Sequence, residues 1–157
     1  MSLSYLQPID ESFTLDDYKP QQVGFQLHKH LPSLGLPDLK DVKIAFFCIE
    51  TMGQSFYRFR QHLYTLFMGN WNFGIADLGN LPLEATEEDT HFAIKEIVAD
   101  LIKEGVIPIV LGGSQDFTYS LYRAFDSLEQ MVNLVCVDSK FDFGNTEELF
   151  VESSYMS

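Results

Sequence analysis

From Val42 onward the chain alternates short apolar runs with segments whose apolar residues recur at helical intervals, and few folds accept that pattern. Lys43 to Ile49 reads as a strand, followed by a helix carrying Phe56, Phe59, Leu63, Leu66 and Phe67 and stopped at Gly69. Asn72 to Leu78 reads as a second strand. A helix then starts at Thr86 to Asp89, a capping-box-like sequence, with Ile94, Ile97, Val98, Leu101 and Ile102 on one face and Gly105 at its end. Val106 to Leu111 is the third strand, with Pro108 tolerable only near its start; Phe117, Leu121, Ala124, Phe125 and Leu128 mark the next helix; and Val132 to Asp138 is the fourth strand. Mostly non-alternating strand sequences joined by helices predict a three-layer α/β/α domain with a mainly parallel sheet covered on both faces.

Upstream, residues 1–41 hold Pro8, Pro20, Pro32 and Pro37 with little periodicity, so they read as an irregular arm before an α/β domain spanning residues 42–157. The load of 46% hydrophobic residues, 14 of them phenylalanine, suffices for a packed core. A formal charge of -13 repels phosphate backbones and anionic lipid, which excludes nucleic acid and membrane surfaces as partners. Cys48 and Cys136 each lie in an apolar run and read as small hydrophobes in a reducing compartment. With no apolar stretch of membrane length and no basic-then-apolar amino terminus, the expected location is the cytoplasm.

In open parallel sheets the site lies beyond the carboxyl ends of the strands. That rule selects Glu50 to Ser55, Gly79 to Leu83, Gly112 to Asp116 and Asp138 to Gly144. Gly112-Gly113-Ser114-Gln115-Asp116 joins a strand to a helix through two glycines, so Gly112, Gly113, Ser114 and Asp116 are expected to line the site. In Asp138-Ser139-Lys140-Phe141-Asp142 an extended chain places Asp138, Lys140 and Asp142 on one face.

Pro108 to Gly113 with the polar triplet after it, then Val137-Asp138 with Asp142 four residues on, resembles the arginase, agmatinase and formimidoylglutamase family of ureohydrolases. Gly53 with Arg58, Arg60 and Leu63 is similar to the segment after that family's first strand, and Ile75 to Asn80 is similar to its Asp-Leu-Gly-Asp turn. The likeness covers residues 42–144, corresponds to the amino-terminal part of the fold, and is nearest the formimidoylglutamase-like branch. It implies hydrolysis of a guanidino or formimino carbon by hydroxide bridging two manganese ions. The ligands would be a histidine after Gly-Gly-Asp, an Asp-x-His-x-Asp run and two later aspartates.

Carried over by position, the first ligand histidine falls on Gln115 and the second on Lys140, with Asp138 and Asp142 retained. An amide is a weaker donor to a transition metal than imidazole, and an ammonium has no lone pair and repels a divalent cation. The expectation is a degenerate, catalytically inactive ureohydrolase-like domain with a vestigial site of Gln115, Asp138, Lys140 and Asp142 and no resident metal. The alternatives are an active hydrolase of linear amidines whose altered manganese site is completed by a later segment, and a plain interaction domain. A small guanidino or formimino ligand is the partner the resemblance implies.

Blander readings stand beside these. Lys140 between Asp138 and Asp142 makes an internal salt bridge at a sheet end, and the glycines suit a turn. Gly112-Gly113-Ser114 lacks the spacing of a dinucleotide fingerprint and the Lys-Ser/Thr pair of a phosphate loop. His28 and His30 read as surface residues of the arm, and His62 and His91 as polar-face residues of helices. Glu87, Glu88 and Asp89 suit the positive end of a helix.

The resemblance implies the order 2-1-3 for the first three strands, with the fourth separated from the third by strands from later in such chains. Either Val132 to Asp138 therefore pairs directly beside Val106 to Leu111, or a second copy covers the exposed edge, which makes a homo-oligomer the expected state.

Overall fold

The apolar runs pair into one parallel sheet in the computed structural model, which describes residues 2–14, 18–51, 55–83 and 86–137. Two short 3-10 turns, Ser2–Tyr5 and Glu11–Phe13, are followed by α1 (Val23–Gln26), β1 (His28–Lys29) and β2 (Val42–Glu50). Then come α2 (Tyr57–Thr65), β3 (Gly74–Pro82), α3 (Glu87–Lys103), β4 (Ile107–Gly112) and α4 (Phe117–Asp126). The sheet order is β1-β3-β2-β4, all pairs parallel, so the three long strands take the expected 2-1-3 order with β2 central.

Strand periodicity divides β2 between two cores. Ala45, Phe47 and Ile49 join Ala76 and Leu78 of β3 under α3 and α4, whereas Phe46 and Cys48 meet Tyr64 of α2 on the opposite face. The helices therefore cover both faces. On α3, Ala93, Ile94, Ile97, Val98 and Leu101 are buried, and each large aliphatic among them contributes about 1.5–3 kcal/mol. The helix begins where its chemistry directs: Thr86 Oγ1 accepts from the Asp89 amide at 3.1 Å and donates to Asp89 Oδ2 at 2.7 Å.

The residues before Val42 are part of this packing. Leu3 and Leu6 enter the core under α3, and Ile9, Phe13, Val23, Leu27 and Leu31 fill the core beneath α2. Asp100 Oδ2 accepts from the Ser2 amide and hydroxyl, both at 2.8 Å, tying the start of the chain to α3. Burial pushes the Asp100 carboxyl up, but the Ser2 hydrogen bonds outweigh it and leave the carboxyl below its ordinary range.

Four sequence expectations are corrected. The helix after β2 stops at Thr65, before Phe67, because the Leu66 carbonyl accepts from the Val23 amide and Gln22 bridges to Phe67, so the backbone pairs with the amino-terminal segment. His30 is buried, its Nδ1 3.0 Å from the Leu78 carbonyl oxygen, because β1 runs along β3. Residues 132–137 form no strand and do not pair with β4, and Leu134, Val135 and Val137 are exposed. A strand exists by its neighbour's ladder, and among the described residues none lies beside this segment. For the same reason Cys136 is exposed, while Cys48 is buried as expected. Asp138 itself lies outside the described residues.

Among the described residues nothing pairs with the outer edge of β4. Ile107 and Ile109, in register with Ile44 and Phe46 on the face that α2 covers elsewhere, are exposed.

Candidate functional site

Three strands end around one hollow. The chain passes from β2 to β3 on one side and then crosses back through α3 to β4 on the other, and the crevice beside central β2 opens at the carboxyl ends. A cavity of about 290 Å³ lies there, lined by Thr51 after β2, Leu83 after β3, Ser114 and Phe117 around the start of α4, and Thr86, Glu87 and Thr90 of the α3 start. A larger hollow of about 600 Å³, lined by Leu36 to Lys43 and Glu104, sits at the amino ends of the strands, away from these loops. The strand-end cavity is the better candidate because convergent polar side chains meet backbone turns there.

Of the residues expected to line the site, Ser114 does so. Gly112 and Gly113 make the turn before it with φ of 80° and 78°, and a β-carbon on either would strike Phe56 or Phe117. Gln115 stands exposed in the turn that leads into α4, and its carbonyl accepts from the Thr118 amide at 3.0 Å. Asp138, Lys140 and Asp142 lie outside the described residues.

Asp116 points toward α3. Its Oδ2 is 3.2 Å from His91 Nε2, whose other neighbour is Glu87 Oε1 at 3.9 Å, and His91 Nδ1 is 2.6 Å from Ser120 Oγ. The imidazole also meets the Phe117 ring edge-on at 5.1 Å. His91 is thus more than a polar-face residue: α3 and α4 pack side by side and bring it against Asp116. Glu87 belongs both to this group and to the cavity wall. Sequence reasoning passed over the pair. The four-residue spacing of Glu87 and His91 was the available signal, but their meeting with Asp116 depends on packing between two helices.

Within β3, around Asp77 and Gly79, a buried network ties α2 to the sheet. Arg60 Nε and Nη2 donate to the two oxygens of Asp77 at 2.7 and 3.1 Å, and Nη2 also donates to the Gly79 carbonyl at 3.0 Å. Tyr64 Oη donates to Asp77 at 2.5 Å, and the Gly79 amide donates to it at 2.9 Å. Burial, then the Asp77 charge, pushes the Tyr64 hydroxyl far up, so it remains a donor. Cys48 Sγ lies 3.5 Å from Arg60 Nη2, yet burial outweighs that charge and pushes the thiol up to about 12. These groups hold the strand ends in place and are closed to solvent.

Known proteins match both this fold and the chain that forms it. The model of the arginase family matches residues 50–156. The crystal structure of formimidoylglutamase from Bacillus subtilis overlays with a TM-score of 0.56 at 20% identity, covering 73% of this chain and 42% of that one. The structure of Trypanosoma cruzi formiminoglutamase with Mn2+ gives a TM-score of 0.47 at 20% identity over 56% of this chain and 36% of that one. A curated 32.2 kDa uncharacterized protein of Methanothermus fervidus is 36% identical over 73 residues, 46% of this chain and 25% of that protein. The chain therefore spans less than half the length of each of these relatives. Among the described residues no helix is long and apolar enough to cross a membrane.

Proposed function

Since the chain belongs to the arginase family, we propose that it is a ureohydrolase-like domain of formimidoylglutamase type whose manganese site has lapsed, leaving a strand-end cavity that binds rather than hydrolyses. The observation that carries this reading is Gln115. It occupies the exposed turn into α4 where the family resemblance requires a ligand histidine, and an amide oxygen brings neither imidazole basicity nor charge. In the sequence Lys140 stands between Asp138 and Asp142, where the family resemblance requires the second ligand histidine, and an ammonium has no lone pair to give. The donor set does not fit a pair of manganese ions, so water activation by metal has no support from these residues. The cavity keeps Glu87 and a rim of hydroxyls, a setting in which a small guanidino or formimino cation pairs with a carboxylate.

Elemental analysis of the purified gene product should find manganese well below stoichiometric, and guanidino and formimino compounds should release no urea, ammonia or formamide. Stoichiometric manganese together with turnover would overturn the lapsed-site reading in favour of an altered but active site. Replacing both positions, Gln115→His with Lys140→His, should create manganese affinity only where the family's later aspartates are also present. Tight manganese binding by the unmodified protein in calorimetry contradicts this expectation.

The open edge of β4 supports a homo-oligomer. Among the described residues nothing covers Ile107, Ile109 or the exposed apolar residues of 131–137, a surface that a second copy of the chain would bury. Light scattering should show a mass that rises with concentration, and Ile109→Lys should return it toward the monomer. A concentration-independent monomer mass for the unmodified protein would remove the second copy from the account.

A further inference from the structure

We propose that Glu87, His91 and Asp116 form a binding site for a divalent first-row transition ion of the zinc class, which adjoins the strand-end cavity through Glu87 and uses none of the positions carried over from the family's metal centre. One ligand atom from each lies within 4.8 Å of the others. His91 Nε2 stands 3.2 Å from Asp116 Oδ2 and 3.9 Å from Glu87 Oε1. A tetrahedral zinc with bonds of 2.0–2.2 Å separates its ligand atoms by about 3.4 Å, so the Asp116 and His91 atoms already lie near their places. Glu87 has to close slightly, which its side chain, 77% exposed, is free to do.

The surroundings orient the imidazole for that role. Ser120 Oγ, buried and 2.6 Å from Nδ1, can accept the ring's N–H, which leaves the Nε2 lone pair facing two carboxylates. Three electron-pair donors converging on one spot require a cation between them, either a proton or a metal ion. A second observation favours the metal: Asp116 Oδ1 is sealed from solvent and takes no hydrogen bond from the described residues, so a His91–Asp116 pair alone leaves half the carboxylate uncompensated. A dication on Oδ2 withdraws charge from both oxygens. The positive ends of α3 and α4 oppose a cation here, but each amounts to roughly half an elementary charge against two full carboxylates. Three protein ligands leave a fourth position for water, as in open zinc sites.

The site does not depend on the reading of Gln115 and Lys140, and variants separate the two. Zn2+ titrated into the intact chain at neutral pH should bind and raise its melting temperature. His91→Ala and Asp116→Asn should each weaken Zn2+ by at least about tenfold, and Ser120→Ala by about tenfold through loss of orientation. Gln115→Ala should change nothing. Co2+ should give visible ligand-field bands that His91→Ala loses, a signature that a structural His–Asp pair would not produce. Zn2+ binding weaker than about 100 µM in the unmodified chain overturns the proposal. So does affinity that survives the combined His91→Ala and Asp116→Asn change, which would place the ion elsewhere.

Discussion

Asp77→Ala should destabilise the domain by about 3–5 kcal/mol, the cost of leaving a buried charge without its partner. Arg60, 2% exposed, would keep only the Gly79 carbonyl and the weak contact with Cys48, while Tyr64 and the Gly79 amide would each lose an acceptor. The penalty comes from desolvation more than from lost attraction, and the double change tests that directly. Arg60→Met with Asp77→Leu removes both charges and should cost less than Asp77→Ala alone, because replacing a buried pair by apolar groups is often close to neutral. Urea denaturation of the three proteins decides the matter. A loss under about 1 kcal/mol for Asp77→Ala would mean that water reaches the network, and a double variant less stable than the single one would refute desolvation as the dominant cost.

The same network marks the boundary of what could be read from residues alone. Both Arg60 and the Asp77-Leu78-Gly79-Asn80 segment stand out in the sequence, but their pairing does not: β3 runs on through these residues to Pro82 instead of ending at Leu78, and a carboxylate inside a strand shows no sign of being closed from water. The long elements were legible. The strands from Val42, Gly74 and Ile107 and the helices α2, α3 and α4 follow apolar spacing, and α3 also starts at its expected cap, Thr86, signals that act locally. What failed depends on neighbours. His28 and Lys29 are poor strand residues that become β1 because the edge of β3 offers them a ladder, whereas Val132 to Val137 are good strand residues that find no ladder among the described residues. At the strand ends Ser114 lines the cavity toward which the strand-end rule directs attention, while Glu87 and His91 were read by their own helix positions and not by what α4 brings to them.

Gly79→Ala should cost about 3 kcal/mol, as the sum of backbone strain and a backbone collision. Gly79 has φ of 94°, and a β-carbon there would stand 2.0 Å from the Gln7 carbonyl oxygen. A side-chain tip can swing aside, but a backbone oxygen moves only with its segment. Gln7 and Asn80 exchange hydrogen bonds of 2.7 and 2.9 Å, and relieving the overlap breaks that exchange. The displacement would also draw Leu6 and Ile9 out of the two cores they enter. Gly105→Ala supplies the control: φ is 72° there, but nothing lies within 4 Å of the added carbon, so it should lose only the left-handed backbone term of about 1–2 kcal/mol. The difference between the two variants, read from denaturation midpoints at equal slope, measures the close approach of the amino-terminal segment to the sheet end. Limited proteolysis should then cut the Gly79→Ala protein before Val23 while sparing the Gly105→Ala protein. Equal losses and equal cutting would mean that residues 2–13 lie loosely on the sheet and that the left-handed turn alone calls for glycine at position 79.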